Sequence, residues 1–423
     1  MPLGHVSEMP TTRDDIATAE RTPQPSPVDI KVALLTGCQD RHYAFGLAMA
    51  LISKGIGVDV IGSDEMDSPE LHTTRGLNFL NLRGSQRQNA GVTAKVSRLL
   101  VYYARLIRYT MSARPKIFHV LWNYKLEYFD RTLLLLFYKL CGKKIVHTAH
   151  NVNKARRDAK DSLLNRLTLK FQYRTVDHIF VHTQKMKAEL VEEFGVRERA
   201  VSVIRYPINN AFPDTNLTPS EAKRRLGIAD AEKTILCFGG IKPYKGIEFL
   251  LGAFQQLLAR DANCRLIIAG EPKKGSEDYV STIRRTIDRD FSSGAVILKA
   301  QFIPDDEIEL YFKAADVLAL PYKEIFQSGV LFLGYSFGLP AVATDVGSFR
   351  EDIIEGTTGF VCKPNDPADM AKALHTFFTS ELYRNLAQRR QEIKAYINTR
   401  HSWDAVAESS EEVYAGLVGR RLS

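Results

Sequence analysis

Short apolar, β-branched runs alternate with amphipathic helical stretches along nearly the whole chain, and this alternation restricts the fold more than any other feature. The first series reads as strands "IKVALLT" (30–36), "GVDVIG" (57–62), "KIFHVLW" (116–122), "KKIVHTAHN" (143–151), "HIFVHT" (178–183) and "AVSVIRYP" (200–207). Helical patterns fill the gaps at 45–54, at "YFDRTLLLLFYKLCG" (128–142), in a stretch through Phe171 and at "QKMKAELVEEFG" (184–195). Strands alternating with helices make βαβ units, and these build a parallel sheet with helices on its faces.

The pattern breaks once. Residues 206–232, "YPINNAFPDTNLTPSEAKRRLGIADAE", carry prolines, asparagines and one short amphipathic helix, the composition of a domain boundary. A second series follows, with strands "TILCFGG" (234–240), "CRLIIAGE" (264–271), "AVILKAQF" (295–302), "DVLALPY" (316–322) and "PAVATDVG" (340–347). Helices are expected at 246–260, 278–290, 305–315 and 328–337, in "PNDPADMAKALHTFF" and after Trp403. At 423 residues the chain exceeds one ordinary core. The reading is therefore an α/β chain of two doubly wound, Rossmann-like domains at 30–212 and 213–400. A disordered leader at 1–29 precedes them, and a C-terminal helix at 401–423, free to cross back to the first domain, follows. Such domains place their functional loops at the carboxyl ends of the strands, facing each other across a cleft. Dehydrogenases, epimerases and glycosyltransferases all remain open on this grammar alone.

Composition removes other classes. With 45% hydrophobic and 25% charged residues the chain is globular, and no stretch approaches the ~18 apolar residues of a spanning helix. The leader lacks the apolar core of a secretory signal. Five cysteines, Cys38, Cys141, Cys237, Cys264 and Cys362, form no CxxC pair, which suits reduced thiols in the cytoplasm rather than a disulfide framework or a zinc site. The net charge of +8 favours anionic partners but is unevenly spread. Between residues 98 and 174 stand 17 Lys and Arg against four acids, a local +13 that leaves the rest at −5. Aromatics and leucines interleave with that charge in "SRLLVYYARLIRYT" and "DRTLLLLFYKL", as helices resting on an anionic membrane surface would have it. The plain alternative makes the leucines core and the charges a solvated face. No nucleic-acid recognition motif accompanies the charge.

Two loops of the second series suit anion binding. "FGGIKPYKG" (238–246) follows a strand and opens a helix: Gly239 and Gly240 allow close backbone approach, while Lys242 and Lys245 bring charge to where a diphosphate would sit. It matches neither the dinucleotide fingerprint nor the Walker loop. A tight turn with two solvated lysines explains it equally well. In "PYKEIFQSGV" (321–330), Glu324 and Gln327 occupy a loop and Ser328 is placed to cap the next helix. The N–H groups of Ser328, Gly329 and Val330 then form a second anion site; the alternative is an ordinary cap.

With "FGGIKPYKGIEFLLGAF", "LIIAGE", "AADVLALPY", "GLPAVATDVG", "EDIIEGTTGFV" and a terminal "SW" before a helix, the chain resembles the retaining family-4 (group 1) glycosyltransferases of GT-B fold from about residue 30 onward. The resemblance gives Lys245 the contact to the donor diphosphate, with Lys242 as a further contact. It places His150 and Asn151 of "HTAHNVN" near the transferred sugar and acceptor, with Gly37 and Asp40 of the first loop also reaching the acceptor. A histidine suits that position, since it bonds a sugar hydroxyl and titrates near neutrality; His147 and His182 read equally well as histidines satisfied by local backbone. Two features depart from the family. Its two glutamates, eight positions apart, fall here on Ile325 and Leu333, so Glu324 stands one position from the first and the ribose-holding second is absent. "QSGV" occupies the place, as in one branch of the family. The first loop lacks the usual double glycine.

The implied activity is transfer of a hexose from a UDP- or GDP-sugar to a lipid-linked or growing glycan acceptor, as in surface polysaccharide assembly. The implied enzyme is metal-independent and retaining, needs no cofactor besides its donor, and sits in the cytoplasm or peripherally on the inner membrane face. Preorganised donors at the leaving diphosphate lower such a barrier. The alternatives are a catalytically degenerate scaffold or donor-binding protein, and a soluble sugar-phosphate transferase or sugar-nucleotide epimerase.

Overall fold

Two parallel sheets of the same winding order carry the molecule. In this computed structural model, residues 30–86, 91–157, 160–207 and 213–419 are described. The expected leader at 1–29 lies outside them, as do 208–212, where the expected domain boundary falls. The first sheet contains β1 (Lys31–Leu35), β2 (Gly57–Gly62), β3 (Leu77–Asn81), β4 (Ile117–Val120), β5 (Lys144–Thr148), β6 (His178–Val181) and β7 (Val201–Val203). Their order is β3-β2-β1-β4-β5-β6-β7, parallel throughout. The second contains β8 (Lys233–Phe238), β9 (Cys264–Ala269), β10 (Val296–Lys299), β11 (Val317–Leu320), β12 (Ala341–Thr344) and β13 (Gly359–Cys362) in the order β10-β9-β8-β11-β12-β13, also parallel. The winding reverses between β1 and β4 and between β8 and β11, opening a crevice at the carboxyl ends of the strands in each sheet.

Burial on both faces explains the unbroken apolar runs. Along β1, Val32 and Leu34 enter one core while Ala33 and Leu35 enter another on the opposite face.

Four elements differ from the sequence expectation. β3 ("LNFLN") and β13 ("GFVC") are edge strands too short and too polar or glycine-bound to stand out. The first helix, Arg41–Ser53, starts four residues early because the Asp40 carboxylate accepts the Tyr43 N–H at 3.0 Å and caps it. The expected helix at 128–142 is helical but irregular: a π-helical turn, Asp130–Leu134, separates Glu127–Phe129 from Leu135–Leu140. There Asp130 is buried, accepting from the Tyr103 hydroxyl at 2.8 Å and the Tyr124 N–H at 2.7 Å.

The last helix, Trp403–Leu417, crosses back onto the first sheet's domain. Gly46 makes room for it, since a Cβ there would lie 2.2 Å from Trp403 Cζ2. Deeper in, the Tyr414 hydroxyl meets His119 Nδ1 at 2.6 Å.

Candidate active site

The first domain's wall is built from rings. Trp122 follows β4 and stacks on His150, which follows β5, with centroids 4.3 Å apart and planes 6° apart. Tyr43 meets His150 edge-on at 4.7 Å, and His182, after β6, approaches His150 Nδ1 with its Nε2 at 3.0 Å. His150 Nε2 is buried without a partner. Burial, reinforced by the neighbouring His182, His147 and His119, holds the His150 pKa well below the usual histidine range, and burial holds that of His182 at about 4. Both rings are neutral at physiological pH.

The first loop turns sharply under Trp122. Gly37 has φ 56°, and a Cβ on it would sit 2.6 Å from the Trp122 carbonyl. Cys38, beside it in the loop that lacks the double glycine, takes the left-handed conformation as well, with φ 52°. The Thr36 hydroxyl accepts its N–H at 3.1 Å, and Gln86 donates to its carbonyl at 3.3 Å. These two bonds hold a conformation that costs a non-glycine residue roughly 1–2 kcal/mol.

The facing wall is a backbone and lysine cradle. Lys245 ends a 3₁₀ turn after β8, is buried, and donates to the Tyr322 hydroxyl. Ser328 Oγ reaches that same hydroxyl at 3.5 Å while capping the helix Gly329–Ser336 through the Leu331 N–H. The two predicted anion elements are thus joined through one tyrosine. Gly239, at φ 103°, has no room for a side chain without crowding Val330: a Cβ would stand 3.2 Å from Val330 Cγ2 and 3.8 Å from Lys245 Nζ. Gly240 lies against the Lys273 stem, and Lys242 is half-buried at the start of the turn.

Across the cleft, Gln39, Asp40, Trp122, His150, Asn151 and His182 share a cavity of about 210 Å³ with Tyr206, Gln327 and Gly329. A Cβ on Gly329 would lie 3.3 Å from the Tyr206 hydroxyl, so the walls meet there. Farther out, Arg41 pairs with Asp305 at 2.5 Å and His42 lies 3.3 Å from the same carboxylate. A larger groove of about 1160 Å³ lies between Arg174, Arg197, Ser202 and Glu412, at the amino ends of β6 and β7. It faces away from the strand carboxyl ends where α/β folds place their chemistry.

The structure therefore brings Asp40, His150, Asn151, Gln327 and Gly329 to one cavity and gathers Gly239, Lys245, Ser328 and Val330 beside one another. Gly37 shapes the loop but does not line the cavity. Glu324 does not join either group: it is exposed, with Glu189 among its charged neighbours. Leu333, at the position of the family's second glutamate, is buried in the second domain's core. His147 is satisfied by the Val120 carbonyl at 2.9 Å, as local backbone satisfaction predicts. Sequence reasoning missed Trp122, Tyr206 and Tyr322 as site residues. The signal for Tyr322 and Trp122 was available, since each follows directly from a strand bordering a winding reversal. Among the described residues no cluster of three or more His, Cys, Asp or Glu side chains is arranged to hold a metal ion.

A two-domain α/β molecule with an anion cradle facing a ring-lined sugar-sized cavity belongs to the GT-B glycosyltransferase class, and the comparisons agree. Residues 232–380 match the family model "Glycosyl transferases group 1" and residues 41–212 match "Glycosyltransferase Family 4", which together cover the second sheet and all of the first but β1. The chain belongs to the group 1, family-4-type glycosyltransferases. It is 24% identical to a D-inositol 3-phosphate glycosyltransferase of Corynebacterium diphtheriae over 388 residues, 88% of each chain. Its fold matches a sucrose-phosphate synthase from Thermosynechococcus elongatus with a TM-score of 0.73 at 18% identity, covering 92% of this chain and 99% of that one. It also matches Anabaena HepE in complex with UDP-glucose, with a TM-score of 0.71 at 16% identity, covering 92% and 100%.

Proposed function

We propose that this glycosyltransferase moves a hexose from a UDP- or GDP-sugar to a lipid-linked or growing glycan acceptor during surface polysaccharide assembly. The observation that carries the reading is the facing pair of walls: Lys245, Tyr322 and Ser328 where a diphosphate leaves, and His150 with Asp40 and Asn151 where the sugar and acceptor meet. HepE, a fold neighbour, binds UDP-glucose. Lys245 and the first N–H groups of the helix Gly329–Ser336 stabilise the charge developing on the leaving diphosphate without a metal. The expected outcome is retention, with front-face attack in which the leaving phosphate takes the acceptor proton. Release of UDP or GDP in the presence of membrane extract tests the assignment. No release with any common sugar nucleotide, despite nucleotide binding, favours the degenerate scaffold instead.

The acceptor is met at an anionic membrane surface on the cytoplasmic side in this reading. No helix among the described residues is long and apolar enough to cross a membrane. Thirteen of the fifteen large apolar side chains exposed among them lie between residues 96 and 171, the same segment that carries +13. That coincidence favours a docking face over a merely solvated one. The helices Val92–Ser112, Leu135–Leu140 and Leu163–Thr175 pack their inner sides into one core through Tyr103, Tyr138 and Tyr173, which leaves Leu100, Leu140 and Leu163 turned outward. Salt-sensitive binding to phosphatidylglycerol vesicles, weakened by Leu140→Glu with Leu163→Glu, is the expected result. Equal partition to the soluble fraction at low salt would support the second reading, a soluble phosphorylated acceptor, which the D-inositol 3-phosphate glycosyltransferase relative favours.

A further inference from the structure

Two buried polar atoms in the interdomain cavity have no partner: His150 Nε2 on one wall and Gln327 Oε1 on the other. What His150 presents to a ligand is set by the residue behind it. His182 Nδ1 lies 3.2 Å from the Ile204 carbonyl, and a carbonyl only accepts, so the proton of the neutral His182 ring sits on Nδ1. Its Nε2 is then a lone pair, 3.0 Å from His150 Nδ1, which must donate to it. The neutral His150 ring is left with a lone pair on Nε2, held in plane by the stacked Trp122 indole. On the opposite wall Gln327 lines the same cavity, with its Oε1 unpartnered.

We infer that His182 is a positioning residue that fixes His150 Nε2 as a hydrogen-bond acceptor, so that this wall of the cavity selects ligand hydroxyl groups and rejects anionic oxygens. The inference deepens the transfer reading: the cavity takes the polyhydroxylated ring of the substrate, and the diphosphate belongs with Lys245 and Ser328. Burial holds both histidines neutral, so the direction of this hydrogen-bond chain does not reverse near neutrality. An unsatisfied buried acceptor is costly in the empty site, and a ligand hydroxyl there removes that cost. An analogue lacking the hydroxyl leaves the cost in place, which is how a polar site discriminates.

Nitrogen-15 NMR of the full-length protein carrying labelled histidine, with the His150 signals assigned by their loss in His150→Gln, reads the tautomer directly. The expected wild-type spectrum has the proton of His150 on Nδ1 and an unprotonated Nε2 at pH 7. A proton on His150 Nε2, or a charged ring, overturns the inference whatever the variants do. In His182→Phe the Nδ1 preference is expected to disappear; an unchanged tautomer overturns the role of His182. For the donor identified by nucleotide release, His182→Phe should cut the extra affinity of the sugar nucleotide over the bare nucleotide by about tenfold or more. Bare UDP or GDP affinity should stay unchanged. Loss of bare-nucleotide affinity in the same proportion indicates general damage and overturns the positioning role. A correct tautomer in a protein that transfers no sugar leaves this inference standing and defeats the transfer reading, so the two fail separately.

Discussion

The two halves of this molecule share a winding order and almost nothing else. The first sheet's domain holds its site with rings: Trp122, His150, His182 and Tyr43 pack edge and face at the carboxyl ends of β1, β4, β5 and β6. The second holds its site with glycines, one lysine and a helix start at the ends of β8 and β11. The difference matches the two tasks. A diphosphate needs close backbone approach and fixed positive charge, whereas a sugar ring needs flat apolar surfaces with a few oriented polar atoms. A shared winding order supplies both because it fixes only where the loops stand.

The comparison can be broken most severely on the cradle side. Lys245→Ala is expected to lower turnover by about 10²–10³-fold, the usual effect of removing one preorganised donor to developing charge. Nucleotide release measures it, and near-normal rates would remove the diphosphate assignment. Next comes acid sensitivity, which should be confined to one half. Burial depresses the pKa values of His147, His178 and His182, all in the first domain, to about 4, and that of His401 in the returning segment likewise. Between about pH 4 and 6.5 the unfolded chain binds protons that the folded one does not, so stability is full above 6.5 and falls as the pH drops toward 4. Hydrogen exchange should show the first sheet opening before the second in that window; simultaneous opening would erase the distinction.

Gly37→Ala probes the ring-lined side more gently. A positive φ and a contact at 2.6 Å predict a cost of roughly 1–3 kcal/mol, read by thermal unfolding, with acceptor use impaired more than nucleotide binding. The smallest effect belongs to the pair that spans the halves. Arg41 and Asp305 are both exposed, and Arg41→Ala should cost no more than ~1 kcal/mol, vanishing at high salt.

The winding and the positions of the site loops were legible in the sequence. Lys245, Ser328 and His150 stand where strand ends and helix starts put them, because loop position follows from the βαβ pattern. β3 and β13 were not legible, since an edge strand has only one neighbour and little apolar demand. The irregular helix at 128–142 escaped because its cause, buried Asp130, depends on Tyr103 from another helix. Glu324 shows the opposite failure: a plausible acid at a plausible distance along the chain is turned outward by its loop.

The sequence by itself determined two parallel α/β domains, a basic first half and an anion-suited loop pair in the second, because apolar period and residue chemistry are local properties. Tertiary structure decided which groups share a cavity and which way their protons point. His182 reads as an ordinary backbone-satisfied histidine along the chain, and its Nδ1 is indeed satisfied by Ile204. Only packing of β6 beside β5 brings its other nitrogen to His150, and that contact sets what the site can bind.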